Sequence, residues 1–377
     1  MTSVYLDYNA SGLVRPEVLK ATTEALADNG NPSAVHAAGR RQRARIESAR
    51  AEVAALVGAD PQGIVFSSGG TESNGQAMIS AIRSGFERLI LSATEHPCVA
   101  EAAAMSGCEV VVVPVDGRGI VSLDALEKAL QAGGKAFVAI HHANNESGVI
   151  QPVEGIAERV RAHDGWLHID AVQSAGKIPV NMAELGCDTL TLSAHKLGGP
   201  QGVGCLIAGP RATVHKVIFG SSQERGMRAG TENGPGLAGF GAAAAVSRAE
   251  LEAGRDHSAW RDAAAERLKA HGAVVAGDGV ARLPNTLFVS TPGWSSMAQL
   301  MALDLDGVMV SGGSACSSGK AKPSTAMVAM GLDDLATSTI RVSGGWGTSE
   351  SDWIRFADVW EAAFLKHRAR HAEPEAV

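Results

Sequence analysis

The sequence lacks the features that would bind it to a membrane or a nucleic acid. Its 377 residues carry a net charge of −7 without a long run of one sign, so no electrostatic footprint for a polyanion is present. Apolar stretches such as 242–246 are far shorter than the roughly 20 residues that cross a bilayer, and the amino terminus has no signal-peptide pattern. We therefore expect a cytoplasmic protein with neither nucleic acid nor membrane among its partners.

Cysteine is scarce, and its spacing excludes two common roles. The five cysteines are an odd number, and none forms a CxxC pair. This pattern indicates neither a disulfide framework nor a structural zinc site, and no metal is predicted. A cysteine with a role must act alone.

Aromatic residues make up only 4% of the chain, whereas glycine is abundant at 44 residues. The glycines cluster between short apolar runs. This distribution is typical of phosphate-holding turns in α/β proteins.

Between about Gly63 and Ala208, β-rich runs alternate with stretches of helical period. Seven such strands, most of them separated by helices, predict a mostly parallel sheet covered on both faces. The runs are GIVFSS, RLILSA, EVVVVPV, AFVAIHH, WLHIDA, TLTLSA and GVGCLIA.

The flanking segments predict a second, smaller unit. A long amphipathic helix is expected over 37–57, and another helical stretch from Ser247 to about His271 would connect the units. The runs GAVVAGD, NTLFVST, GVMVSGG and STIRVSGG then predict strands, before a helix over 351–367. The chain should therefore contain a large α/β domain over 15–250 and a smaller α+β domain formed by 1–14 and 251–377.

Lys196 is the first candidate for chemistry. It follows a predicted strand inside the glycine-rich loop SAHKLGGPQG, where ligands bind in parallel sheets. A desolvated lysine amine can hold an aldehyde cofactor as a Schiff base. A solvated loop lysine is an equally good interpretation of this segment alone.

Two other strand ends favour the first interpretation. In GIVFSSGGTESN, Gly70 and Thr71 open a helix that could bind phosphate, although an ordinary capped helix start explains them as well. In WLHIDAVQ, Asp170 ends a buried strand. A carboxylate there either caps the next turn or pairs with a pyridinium nitrogen. Together with Lys196, these residues predict a pyridoxal 5'-phosphate site.

The order of longer motifs then indicates a family. LDYNA, GNPSAVH, GGTESN, ATEHPCV, NNESGVIQP, HIDAVQSAGK, SAHKLGGPQGVG, ERGMRAGTEN, GSACSSGKAKPS and STIRVSGG resemble the cysteine desulfurases of the nitrogen-fixation and housekeeping iron–sulfur branch, within the class-V aminotransferases. The resemblance implies the type I fold of pyridoxal phosphate transferases. It also implies conversion of L-cysteine to L-alanine, a homodimer, and a sulfur-acceptor protein such as an iron–sulfur scaffold.

The resemblance also implies roles for individual residues. Lys196 would carry the cofactor and move the Cα proton, and His96 would stack on the ring and assist that transfer. Arg341 would bind the substrate carboxylate with help from Asn145. The remaining cofactor contacts would be Asp170 at the ring nitrogen, Gln173 and Asn145 at the phenolic oxygen, and Gly70, Thr71, Ser193, His195 and the neighbouring subunit's Thr231 at the phosphate.

Cys316 is the residue that would distinguish a desulfurase. It lies in SGGSACSSGKAKPST, a run of small residues without large apolar neighbours, so we expect an accessible and mobile thiolate that attacks the substrate sulfur. Cys108, Cys187 and Cys205 are interpreted as small apolar residues. Cys98 follows the expected stacking histidine and could lie near the site.

Two alternatives stay open at this point. One is a selenocysteine lyase or another class-V enzyme, and the other is a degenerate subunit that only binds a partner. The sequence also departs from the family pattern at ASGL (10–13) and SGGWGT (343–348). The first departure lies close to the expected substrate entrance.

Overall fold

The structure is a computed structural model that describes residues 3–28, 30–312 and 323–371. Its strands are β1 (Val4–Tyr5), β2 (Ile64–Ser67), β3 (Arg88–Ser92), β4 (Glu109–Val113), β5 (Ala136–His141), β6 (Trp166–Asp170), β7 (Thr189–Ser193), β8 (Gly204–Ala208), β9 (Val274–Val275), β10 (Thr286–Ser290), β11 (Val308–Met309), β12 (Ser311–Gly312) and β13 (Thr339–Ser343). Its α-helices are α1 (Pro16–Ala27), α2 (Ala37–Leu56), α3 (Gly70–Arg83), α4 (Pro97–Ala104), α5 (Leu123–Gln131), α6 (Val153–Ala162), α7 (Met182–Leu185), α8 (Gly234–Glu252), α9 (Ser258–Lys269), α10 (Ser296–Leu305), α11 (Thr325–Ala329) and α12 (Glu350–His371).

The seven predicted strands form one sheet in the order β2-β8-β7-β6-β5-β3-β4. Only β8 runs antiparallel to its neighbours, so the prediction of a mostly parallel sheet is confirmed. Strands β5, β6 and β7 are buried along their whole length, because helices cover both faces. The carboxyl ends of the parallel strands therefore meet at one edge, where ligands bind in such sheets.

A second core surrounds the four-stranded antiparallel sheet β12-β13-β10-β9. Helix α12 packs on it with large aromatic side chains, and the rings of Trp360 and Phe364 stack with centroids 5.0 Å apart. Val4 and Leu6 at the start of the chain belong to this apolar cluster. They are held there because β1 pairs in parallel with β11.

Two details differ from the sequence predictions. The single helical stretch expected from Ser247 to His271 is wrong: α8 ends at Glu252 and α9 begins at Ser258. Gly254 adopts a left-handed φ of +75° between them, which stops the helix. The run GVMVSGG is also two short strands, because β11 pairs with β1 whereas β12 pairs with β13.

The described residues contain neither a membrane-spanning helix nor a cluster of metal ligands. None of the helices there is both long and apolar enough to cross a bilayer. Likewise, no three histidine, cysteine or acidic side chains in that part of the chain are grouped to hold a metal.

Candidate active site

A cavity of about 310 Å³ opens at the carboxyl edge of the large sheet. It collects side chains from the ends of four parallel strands and from β13 of the smaller sheet. The residues that line it are Asn9, Ala10, Gly70, Thr71, Asn74, His96, Cys98, His141, Ala143, Asn145, Asp170, Val172, Gln173, Ser193, His195, Lys196 and Arg341. Eleven of the residues singled out in the sequence thus surround one space.

Lys196 lies on a short 3₁₀ turn that directly follows β7. Its Nζ donates hydrogen bonds to the carbonyl oxygens of Asn9, at 2.6 Å, and Ala10, at 2.8 Å. Burial, together with the positive charge of Arg341, lowers the pKa of the Lys196 amine to about 8. A substantial fraction of the amine is therefore unprotonated and nucleophilic near neutral pH.

Asp170 closes the buried strand β6, and both of its carboxylate oxygens are held. Oδ1 accepts from the backbone N–H of Val172 at 2.9 Å, and Oδ2 accepts from Asn74 Nδ2 at 2.7 Å. These contacts compensate the cost of burying a carboxylate. Each oxygen still has a free lone pair for a donor inside the cavity.

The other end of the cavity suits an anion. Helix α3 begins there at Gly70, and the first N–H groups of a helix lack intrahelical partners. A Cβ at Gly70 would come within 3.0 Å of Val172 Cγ2, so glycine leaves the approach open. Ser193 and Thr71 add hydroxyls, and burial lowers the pKa of His195 to about 4, which makes its ring a neutral partner.

Gln173 is oriented by residues that the sequence interpretation missed. Its Oε1 accepts from Lys177 Nζ at 2.7 Å, and its Nε2 donates to the carbonyl oxygen of Asn9 at 3.0 Å. Lys177 Nζ also donates to Asn9 Oδ1 at 2.7 Å. Burial and the nearby charges of Lys196 and Arg341 hold the pKa of Lys177 well below its usual value. The only sequence signal was its place, four residues after Gln173.

His96 caps helix α4, where its Nδ1 accepts from the backbone N–H of Cys98 at 3.2 Å. Burial by the surrounding protein lowers the pKa of His96, which leaves the ring neutral at pH 7. The thiol of Cys98 also lines the cavity, as the sequence allowed, and burial raises its pKa to about 11. Cys98 is therefore a thiol rather than a thiolate.

Arg341 enters the cavity from β13. Its Nη1 donates to the carbonyl oxygen of Asn145 at 3.0 Å, and its Nη2 forms an ion pair with Asp7 Oδ1 at 2.9 Å. Two of the five guanidinium donors are thus used, and the buried Nε has no partner among the described residues. Asp7 lies within the motif LDYNA, but its contact with Arg341 joins residues 334 positions apart, which no local pattern indicates.

Two predicted site residues stand apart from this cavity. Thr231 is exposed and does not line the cavity of its own chain. Cys316 lies outside the described residues. Of the other cysteines, Cys187 and Cys205 are buried, as expected for small apolar residues, whereas Cys108 is half-buried.

The two segments that depart from the family pattern lie side by side. Trp346 Nε1 donates to the carbonyl oxygen of Leu13 at 2.6 Å. Ser11 Oγ lies 3.4 Å from His195 Nδ1, and Ala10 contacts Lys196. The departures at 10–13 and 343–348 therefore form one wall beside the lysine.

The donor set of this cavity fits pyridoxal 5'-phosphate. It offers an amine of lowered pKa for an aldehyde, an ionisable carboxylate for a ring nitrogen, and a helix start with hydroxyls for a phosphate.

Comparisons with known proteins agree with this chemistry. The sequence model described as aminotransferase class-V matches residues 4–353. The cysteine desulfurase IscS of Dictyoglomus turgidum is 39% identical, over 97% of this chain and 95% of that protein.

Solved structures show the same architecture. A NifS-like protein from Rickettsia africae superposes with a TM-score of 0.89 at 31% identity, covering 97% of this chain and all of that one. SspA, solved in complex with cysteine, gives a TM-score of 0.76 at 29% identity over 90% of this chain and 98% of its own.

Proposed function

Since this chain belongs to the cysteine desulfurases of the class-V aminotransferase family, we propose that it converts L-cysteine to L-alanine and takes up the sulfur on Cys316. The observation that carries the proposal is the position of Lys196, whose amine has a pKa of about 8 and shares one cavity with Asp170 and Arg341. The enzyme depends on pyridoxal 5'-phosphate. When bound, this cofactor withdraws electrons from the substrate Cα and so acidifies its C–H bond.

The residues at the sheet edge would hold the cofactor. Lys196 would bind its aldehyde, Asp170 would face its ring nitrogen, and His96 would stack on its ring. The start of α3 and neighbouring side chains would hold the phosphate, and two amides would hold the phenolic oxygen. These further contacts come from Gly70, Thr71, Ser193 and His195 at the phosphate, and from Gln173 and Asn145 at the phenolic oxygen.

Arg341 binds the substrate carboxylate through the donors that Asp7 and Asn145 leave free. The Lys196 amine would also remove the Cα proton of the substrate. The thiolate of Cys316 attacks the substrate sulfur, the C–S bond breaks, and a proton completes the methyl group of alanine. One L-cysteine and one enzyme thiol give one L-alanine and one enzyme persulfide, so no external oxidant is needed.

The quaternary structure follows from Thr231. This exposed residue is separate from the cavity of its own chain, and we propose that it reaches the phosphate site of a second copy in a homodimer. Light scattering tests this directly. A stable monomer with full activity would contradict the shared site.

The proposal extends to the cellular role and to the domain division. The persulfide serves a sulfur-acceptor protein, such as an iron–sulfur scaffold, in the cytoplasm. The large domain over 15–250 holds the cofactor, while 1–14 and 251–377 form the smaller domain with the cysteine segment. The apolar clusters around the large sheet are separate from the cluster around the four-stranded sheet, which supports this division.

The test is incubation of the purified holoenzyme with L-cysteine while alanine and sulfide are measured together. Mass spectrometry should find one added sulfur on the peptide containing Cys316. A hydroxyl is a poor nucleophile toward sulfur, so Cys316→Ser should lose more than about a hundredfold in alanine formation, roughly 2.7 kcal/mol of barrier, while still binding the cofactor.

Matched variants of the other cysteines test which thiol of the enzyme takes up the sulfur. Cys108 does not line the cavity, so Cys108→Ser should keep wild-type activity. If Cys316→Ser makes alanine at a near-normal rate, sulfur leaves by another route, and a lyase reaction replaces the proposal. If the persulfide is lost in Cys98→Ser but not in Cys316→Ser, the thiol that takes up the sulfur is Cys98.

A further inference from the structure

A continuous chain of hydrogen bonds runs beneath the cavity and ends on Asp170. It begins at Trp166, passes through Thr189 and His168, and reaches the carboxylate through Asn74. The four heavy-atom distances are 2.9 Å from Trp166 Nε1 to Thr189 Oγ1, 2.9 Å from Thr189 Oγ1 to His168 Nδ1, 3.0 Å from His168 Nε2 to Asn74 Oδ1, and 2.7 Å from Asn74 Nδ2 to Asp170 Oδ2.

The chemistry of the two ends fixes the direction of every bond. A carboxylate only accepts, so the amide NH₂ of Asn74 must face Asp170 and its oxygen must face His168. His168 Nε2 therefore carries a proton. At the other end the indole of Trp166 only donates, so the Thr189 hydroxyl accepts from it and gives its own proton to His168 Nδ1.

The surroundings keep His168 in this state. His168 and Asn74 are 1% and 2% exposed, so water does not compete for their bonds. Burial lowers the pKa of His168 to about 4, and Phe137 stacks on the ring with centroids 5.8 Å apart. The imidazole is therefore neutral, with one nitrogen that donates and one that accepts.

We propose that Asn74 and His168 are positioning residues for Asp170, a role that rests on the proposed function of this cavity. Because every hydrogen bond in this series donates toward Asp170, the series ends with an N–H of Asn74 at Oδ2. The carboxylate is thereby fixed as an acceptor. The orientation of Asp170 toward the cofactor is thus set by hydrogen bonds that extend from His168 in the interior of the sheet to Asn74 at the cavity wall.

The first measurement reads the tautomer of His168. In holoenzyme labelled with ¹⁵N-histidine, the His168 signals, assigned by their absence in His168→Gln, should show a neutral ring with the proton on Nε2 at pH 7. A proton on Nδ1 alone would overturn the proposal, because Asn74 would then have to turn its oxygen toward Asp170. A charged imidazolium would also overturn it, because Nδ1 could then no longer accept from the Thr189 hydroxyl.

The second measurement is the rate at which each holoenzyme releases its cofactor after dilution. Asn74→Leu removes the donor to Asp170, and we expect release about tenfold faster than in the wild type. His168→Leu should approach the same rate, whereas His168→Gln keeps a donor at the Nε2 position and should stay within about threefold of the wild type. Thr189→Val should accelerate release about twofold.

Ser80→Ala is the matched control, since Ser80 is equally buried on α3 and its Oγ accepts from the backbone N–H of His215 instead. It should release the cofactor at the wild-type rate. If Asn74→Leu cannot be purified, the cofactor release rates of His168→Gln and His168→Leu are compared instead. Equal release rates for these two variants would overturn the proposal. Release of the cofactor is independent of turnover, so a wild-type enzyme that forms no alanine would refute only the proposed function.

Discussion

The floor of the cavity and its rim are assembled in different ways. The floor, which we define as Asp170, Ser193 and Lys196, comes from adjacent parallel strands and the turn after one of them. The rim, which we define as Asp7, Asn145 and Arg341, joins three segments that are far apart in the chain. The floor is thus a local consequence of one sheet, whereas the rim exists only once both sheets have folded.

This contrast suggests a division of labour. Residues of the floor should control whether the cofactor is bound and activated, and Asp7 and Arg341 in the rim should control which substrate is held. Asn145 in the rim is proposed to contact both the cofactor and the substrate. The two regions still interact, because the charge of Arg341 lowers the pKa of Lys196. Variants in each region can therefore test where the division holds and where it fails.

The largest effect is expected in the floor. Lys196→Ala removes the amine that binds the cofactor aldehyde and moves the proton, so alanine formation should fall by about a thousandfold or more. Borohydride reduction of the wild-type holoenzyme followed by peptide mapping should label Lys196. Lys177, a second half-buried lysine beside Gln173, is the internal control, and label on Lys177 instead would refute the assignment.

Next comes the rim. Arg341→Lys keeps a positive charge but loses the planar fork of donors, so kcat/KM for L-cysteine should fall by about a hundredfold, mostly through KM. The cofactor should dissociate at the wild-type rate. Arg248→Lys, at an exposed ion pair, should change neither quantity. A large loss of cofactor in Arg341→Lys would show that the rim controls cofactor binding as well as substrate binding.

Lys177→Met tests a residue that the sequence did not reveal. Without Lys177 Nζ, Gln173 loses the donor that fixes its amide, and cofactor affinity should weaken about tenfold. Equilibrium dialysis measures the change. An unchanged dissociation constant would mean that Asn9 alone orients Gln173.

The smallest expected effect is the change with pH in the rate of covalent cofactor loading. In cofactor-free protein, the neutral fraction of Lys196 grows as the pH rises through about 8, so the rate of covalent cofactor loading should increase about fivefold from pH 7 to pH 8 and then level off. Stopped-flow absorbance follows the reaction. Arg341→Met removes a charge that lowers this pKa, so the midpoint should move to higher pH. A midpoint that stays in place would show that floor and rim are electrostatically independent.

The floor was predictable because its signals are local. Each of Asp170, Ser193 and Lys196 lies at or just after a run of apolar residues that can only be a buried strand, and the carboxyl ends of parallel strands share an edge. The family resemblance added roles to positions that were already suspect. The long helical stretch after Ser247 failed for the opposite reason, since helical composition continues through the break at Gly254.

The supporting contacts were not predictable. Asp7 and Asn9 lie within LDYNA and Lys177 within HIDAVQSAGK, but these motifs do not indicate their contacts. The bridge between Asp7 and Ser343 brings the first two residues to the cavity. Asn74 and His168 lie within recognisable motifs. Their hydrogen bond joins residues 94 positions apart, which no local pattern can indicate.

The pairing of β1 with β11 has a consequence for how the protein is made on the ribosome. Val4 pairs with Val308, so the first strand leaves the exit tunnel roughly 300 residues before its partner. At about 5–20 residues per second, that interval is about 15–60 s. During it, the carbonyl groups of Asn9 and Ala10 cannot be in place against Lys196. We expect nascent chains to acquire the cofactor only after nearly the whole polypeptide has been synthesised.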